Sequence, residues 1–273
     1  MAKLKIGVVV PLAADPRAEM RKVKELGLSS CQVASWQPDA WTDEAGGRLI
    51  DAAARHGVEI TAFWSGYTGP CAWNLVEGPG TIGLVPPEHR PHRVEELKRA
   101  AAFAAKFKLP AVVTHAGFIP EDPSDPKFDG TVDAVRQVAG RCAELGVEFW
   151  FETGQETPVT LLRTIERVAT GNLGVNLDPA NLILYGKANP VDALDVLGRY
   201  VRGMHAKDGL YPADGMHLGR EMPLGEGKVD FPVLVGRLKS FGFSGALTIE
   251  REIGGPEQIA DIRKGIRLLR PLC

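Results

Sequence analysis

A single-domain α/β fold, a (β/α)8 or TIM barrel of eight parallel strands with outer helices, is what this chain predicts, and three observations predict it. Eight short β-branched runs alternate with eight longer amphipathic stretches along the 273 residues. Four of those stretches close on a glycine with the next apolar run directly behind it (ELG-L, RHG-V, ELG-V, SFG-F), the pattern of a left-handed helix cap feeding a strand. Side chains of the ligand and acid/base types recur at the ends of the later runs.

The elements follow in order. Lys5–Val10 (KIGVVV) opens the barrel and Arg17–Leu26 is its first helix. Ser30–Ala34 (SCQVA) leads to Asp43–His56, Val58–Phe63 (VEITAF) to Pro91–Phe107, and Ala111–Thr114 (AVVT) to Thr131–Leu145. Val147–Phe151 (VEFWF) leads to Thr160–Ala169, Leu173–Leu177 (LGVNL) to Asp192–Gly198, Val201–His205 (VRGMH) to Pro232–Phe241, and Ala246–Ile249 (ALTI) to Pro256–Leu269. Near-continuous apolar runs of this length fit strands buried on both faces of a parallel sheet. An open doubly wound sheet is the competing layout, but it usually carries a glycine-rich loop after its first strand. Here that loop reads PLAADP, so no nucleotide cofactor is expected.

The length suits one barrel, with no linker or low-complexity segment, and residues 1–273 read as one domain. Apolar residues make up 44% and charged residues 24%, the composition of a globular protein. With 32 basic and 34 acidic residues, the balance excludes the basic excess of a nucleic-acid binder and gives no reason to expect membrane binding. The first apolar run is too short for a secretory signal core, and no stretch approaches a membrane span; the expected location is cytoplasmic. Cys31, Cys71, Cys142 and Cys273 stand too far apart for a zinc or redox motif, and Cys31 and Cys142 read as small core residues. Two long Gly/Pro-rich connections, Trp64–Glu88 and Ala206–Val229, both follow strand C-termini and so belong to the catalytic face of a barrel.

His115, Glu152, Asp178, His205 and Glu250 end or follow successive strands, although from Glu152 onward they lie 26 to 45 positions apart. A charged residue capping an apolar strand is costly unless paired, solvated or metal-bound. Each alone has a plainer reading, as helix cap or salt-bridge partner; four at corresponding positions read as a site. Three carboxylates and an imidazole suit one divalent ion, Mn, Mg or Co, with Zn also to be tested.

The segments FETGQET around Glu152, GVNLDPANLILYG around Asp178, GMHAKDG around His205, PLGEGKVDF at Leu224–Phe231 and LTIERE around Glu250 resemble the xylose isomerase-like TIM barrel superfamily, in its sugar phosphate isomerase/epimerase branch. The resemblance covers essentially the whole chain and is strongest from Val147 onward. It implies that Glu152, Asp178, His205 and Glu250 are metal ligands. It also implies that Glu152 and Glu250 are the catalytic proton donor and acceptor on opposite faces of a sugar. The chemistry agrees: a metal at the carbonyl and hydroxyl oxygens stabilises an enediolate, one glutamate removes a proton and the other returns it. Where family epimerases have Asp-x-x-His, this chain has Asp178-Pro-Ala-Asn181, and asparagine cannot shuttle a proton.

Further substrate-binding candidates are His115, Glu156, Asn181, Lys207 and Arg220, with Trp36 and Trp64 as aromatic faces for a sugar. Lys207, Arg220 and Lys228 are candidates to hold a phosphate or sugar acid. Each has a plainer reading: wall histidine, helix-start acid, solvated charge, or packing beneath a lid. The expected function is therefore a metal-dependent sugar or sugar phosphate isomerase or epimerase acting on a sugar or cyclitol. A dehydratase of keto-inositol or dehydroshikimate type is the close variant. An endonuclease IV-like hydrolase is opposed by the scarcity of histidines, with only six in the chain, and a non-catalytic sugar-binding barrel by the intact ligand set. Barrel enzymes commonly form homodimers or homotetramers, and the sequence leaves that open.

Overall fold

A computed structural model describes residues 3–273; Met1 and Ala2, with which the expected domain begins, lie outside the described residues. Eight strands close into a parallel barrel. They are β1 (Lys5–Pro11), β2 (Ser30–Ser35), β3 (Glu59–Ser65), β4 (Ala111–Thr114), β5 (Glu148–Glu152), β6 (Leu173–Leu177), β7 (Val201–Ala206) and, as the last barrel strand, β10 (Ala246–Ile249). Each pairs with its sequence neighbour, and β10 closes on β1. A small antiparallel ladder of β8 (Asp208–Gly209) and β9 (Glu221–Met222) sits inside the long connection after β7.

The outer helices are α1 (Pro16–Glu25), α2 (Asp43–His56), α4 (Arg90–Lys106), α5 (Pro126–Glu144), α6 (Pro158–Val168), α8 (Pro190–Leu197), α9 (Phe231–Ser240) and α10 (Gly255–Leu269). Two short helices, α3 (Gly78–Thr81) and α7 (Pro179–Leu184), lie in loops on the strand C-terminal face and have no counterpart in the sequence reading. The expected glycine caps form: Gly27, Gly57, Gly146 and Gly242 all have left-handed φ, between 57° and 80°. Helix α5 starts five residues before the expected Thr131, because Asp125 caps the amide of Lys127 and Pro126 fills the first turn, where a missing N–H costs nothing. The same cap–proline device starts α1, α6, α7 and α8, at Asp15, Thr157, Asp178 and Asn189.

One contiguous apolar core fills the space between barrel and helices, with Cys31 and Cys142 fully buried in it. Burial pushes both thiols up to about 12, which keeps them unreactive. The barrel's own interior is more polar. Gln32, Asn176 and Thr248 are buried beneath the C-terminal mouth. The β2–β3 register shifts between Cys31 and Val33, and the β6–β7 register between Val175 and Asn176; such irregularities re-aim side chains. Gly203 leaves the room this requires, since a Cβ there would meet Asn176 Oδ1 at 2.5 Å. Among the described residues no helix is long and apolar enough to cross a membrane.

Candidate metal centre and its cavity

The ends of β5, β6, β7 and β10 bring Glu152, Asp178, His205 and Glu250 together, with one ligand atom from each lying within 4.8 Å of all the others. His205 Nδ1 is 2.8 Å from Glu152 Oε1, 3.2 Å from Glu250 Oε2 and 3.9 Å from Asp178 Oδ2. Asp178 divides its work between two atoms. Its Oδ1 accepts the Asn181 amide at 2.8 Å and starts α7, which leaves Oδ2 for the cluster. On the opposite side of the imidazole, His205 Nε2 donates to Gln32 Oε1 at 2.5 Å, and Gln32 Nε2 donates to Asn176 Oδ1 at 3.4 Å. A donating Nε2–H would leave Nδ1 of the neutral ring free to coordinate a metal.

The fit to a divalent cation shows in the atoms left over. Asp178 Oδ2 and Glu250 Oε2 are buried oxygens without an aligned hydrogen-bond donor, an unfavourable state that a shared cation relieves. Burial, reinforced by Glu250 and Glu152, pushes the Asp178 carboxyl well up against the pull of Lys207. Burial opposes charge on His205 too, but Glu152 and Glu250 overcome it and raise the imidazole well above its ordinary value. For Glu250, burial is outweighed by Lys207 and His205, and for Glu152 by His205 and His115, so both carboxyls are held low. Protons on His205 and Asp178 thus stand in for positive charge that a cation would supply.

A cavity of about 350 Å³ opens above the cluster. Trp36, Trp64, His115 and Asn181, all expected at the site, line it. Trp64 Nε1 donates to Glu152 Oε2, and His115 Nε2 stands 3.6 Å from the same oxygen. Burial holds His115 below its ordinary value despite Glu152 and keeps it neutral. Lys207, also expected at the site, is buried behind the lining rather than in it, 2.7 Å from Glu252, 3.3 Å from Glu250, 3.3 Å from Asn181 and 3.7 Å from Asp178.

Glu156 and Arg220 are placed differently. Glu156 is buried and does not line the cavity; burial raises its carboxyl to about 8. Its neighbour Gln155 takes the lining position, with an amide that makes no aligned hydrogen bond. Arg220 and Lys228 are both exposed and away from the lining, because β8 and β9 turn the long loop back on itself. Trp73, in the long loop where the sequence offers a third aromatic face, also lines the wall, and Tyr185 and Glu252 join it without having been singled out. His217 is exposed on its loop and paired with Asp214.

The family model described as "Xylose isomerase-like TIM barrel" matches residues 20–272. The crystal structure of a xylose isomerase domain protein from Planctomyces limnophilus superposes with a TM-score of 0.92 at 34% identity, covering 99% of this chain and 98% of that one. A xylose isomerase-like TIM barrel protein from Mycobacterium smegmatis in complex with magnesium gives a TM-score of 0.72 at 17% identity, covering 99% and 97% of the two chains. 3-Keto-D-glucoside 4-epimerase YcjR from E. coli gives 0.72 at 17% identity, covering 98% and 100%. At that identity the last two show the fold. Uncharacterized protein MJ1311 of Methanocaldococcus jannaschii is 26% identical over 170 residues, 58% of this chain, and the match spans only 56% of that protein's length.

Proposed function

The chain belongs to the xylose isomerase-like TIM barrel family, and from that premise we propose that it is a divalent-metal-dependent sugar isomerase or epimerase. The observation that carries the reading is the convergence of three carboxylates and one imidazole from four barrel strands to within 4.8 Å, beneath a cavity walled by tryptophans. Glu152, Asp178, His205 and Glu250 would hold the metal. When bound there, a cation supplies positive charge beside the sugar's carbonyl and hydroxyl oxygens, which makes the adjoining C–H acidic enough to lose.

The chain's own residues do the rest. Glu250 lines the cavity and is held in its charged form by Lys207 and His205, which stand 3.3 and 3.2 Å from its Oε2, so it is the candidate base. Glu152 is fixed by His205 on one oxygen and by Trp64 on the other, which orients it as the second proton carrier. Gln155 and Asn181 offer amides to substrate hydroxyls, and the tryptophans offer faces to its C–H surface. Lys207, buried among acids, keeps its charge: burial works against it, but Glu250, Asp178 and Glu252 raise it well above its ordinary value. Its ammonium, 3.3 Å from both Glu250 and Asn181, would serve as a donor to a developing oxyanion.

The test is solvent-deuterium exchange into a panel of keto-sugars and keto-cyclitols, alongside metal analysis of wild type, Glu152→Gln and His205→Ala. One metal per chain, lost in the variants, with deuterium entering a carbon-bound position, is the expected outcome. A product lacking a hydroxyl would make the enzyme a dehydratase. Absence of exchange across the panel, with no metal, would refute the reading.

A further inference from the structure

The cavity over the cluster does not end at its own wall. A second chamber of about 400 Å³ lies beyond Trp36, and the two share Trp36, Ala34, Val9, Glu250 and Glu252 as lining. Glu250 therefore lines both, and the second chamber adjoins the space over the four-residue cluster. Trp36 is the partition. It packs against Trp64 at 4.8 Å and Trp73 at 5.8 Å between ring centroids, yet it remains 42% exposed, and Trp73 41%. Two half-exposed tryptophans side by side at a mouth are costly to leave in water and mark a surface that something covers. Beyond Trp36 the second chamber is walled by Leu12, Gln37 and Gln258, apolar surface with uncharged amides, the chemistry that receives hydroxyls and C–H faces.

Charge narrows the occupant further. Among the described residues lining the two chambers, the single cation is Arg251, and it is held by Glu221 and Asp261 at 2.8 Å each. Lys207, behind the lining, is already shared among Glu250, Glu252, Asp178 and Asn181. Glu152, Glu250 and Glu252 make the lining acidic. Among the described residues, cationic side chains free to pair with a phosphate are therefore absent from both linings, and the acids there repel one.

Building on the isomerase reading above, we propose that the substrate is an uncharged two-ring glycoside. Its keto ring lies over Glu152 and Glu250, and its second ring lies beyond Trp36 in the neighbouring chamber; free or phosphorylated monosaccharides fill only half of the site.

The test measures solvent-deuterium exchange for a keto-disaccharide, the matching free ketohexose and that ketohexose 6-phosphate, in the metal-loaded wild type and in Gln258→Trp and Gln37→Trp, which fill the second chamber from its inner and outer sides. The proposal expects kcat/KM for the disaccharide to exceed the free sugar by about ten-fold or more, with the phosphate lowest. It expects each variant to cost the disaccharide about ten-fold more than it costs the free sugar, mainly through KM. Because Gln37 is exposed, its variant keeps the test available if Gln258→Trp fails to fold. A phosphate or free sugar turned over as well as the disaccharide, or variants that slow all substrates equally, would overturn the glycoside while leaving the enolate chemistry standing. Exchange into none of the three overturns both.

Discussion

The two long loops that roof the cavity are organised around opposite charges. After β3, the chain from Gly66 to His89 gathers about the buried guanidinium of Arg93 in α4. Arg93 donates to the carbonyls of Thr68, Pro70, Thr81 and Gly83 at 2.7 to 3.2 Å and lies 4.4 Å over the Tyr67 ring. After β7, the chain from Lys207 to Asp230 gathers about the buried carboxylate of Asp208. Asp208 accepts the amides of Gly209, Gly225, Gly227 and Val229 at 2.8 to 3.0 Å. Each solves the same problem, the backbone polarity of a long irregular segment, but from a different side. Arg93 anchors its loop to an outer helix, and that loop carries Trp73. Asp208 anchors its loop to the residue after Lys207, three positions from His205. The third-strand loop therefore carries Trp73 into the cavity wall, and the seventh-strand loop is anchored beside the four-residue cluster.

Removing each anchor should separate these roles. Asp208→Ala leaves four backbone amides without an acceptor and should cost about 3 to 5 kcal/mol in denaturant unfolding, with weaker metal affinity in whatever folds. Gly227→Ala attacks the same centre by contact, since its Cβ would stand 2.1 Å from Asp208 Oδ1. A loss of about 2 to 3 kcal/mol is expected, and a neutral result would show that the loop is not held as described. Arg93→Met orphans carbonyls, which tolerate missing partners better than amides do, so about 2 kcal/mol is expected. Calorimetric metal affinity should stay within about two-fold of wild type, while sugar affinity falls. If metal affinity collapses as well, the division between the loops is wrong.

Glu156 sharpens the contrast as a buried acid whose Oε2 finds no donor: burial outweighs the nearby backbone amides of Gly154, Gln155 and Glu156 and raises it to about 8 from an ordinary 4.5. The unfolded chain ionises first, so wild-type stability falls as pH rises from 4.5 towards 8, by at most about 5 kcal/mol. Glu156→Gln removes that dependence. It should raise the melting temperature relative to wild type at pH 8, by an amount equivalent to about 2 kcal/mol, with the gain gone near pH 4.5. A pH-independent difference would place the carboxylate in contact with water or a cation.

The barrel and the four residues of the candidate metal cluster were legible because both are written at the ends of apolar runs, where period and punctuation change together. What surrounds them was not. Gln32 sits in the middle of an apolar strand, and nothing in SCQVAS says that a register shift turns it towards His205. Gln155 and Glu156 are neighbours in a loop, where strand alternation no longer tells which faces inward, and the cavity takes Gln155. Arg220 had the right chemistry, but a 20-residue-scale loop carries no direction until β8 and β9 fold it back. The start of α5 was written in Asp125–Pro126 and hidden by the search for apolar periodicity.

Metal titration into chelator-stripped protein, followed by calorimetry at several pH values for wild type, Asp178→Asn and His205→Ala, tests the central claim most directly. The account predicts one divalent ion per chain and an affinity that climbs with pH, because binding must displace the proton that Glu152 and Glu250 hold on His205. It predicts a loss of about 100-fold or more in each variant with the fold retained. Binding that survives both substitutions, or more than one ion per chain, would contradict it.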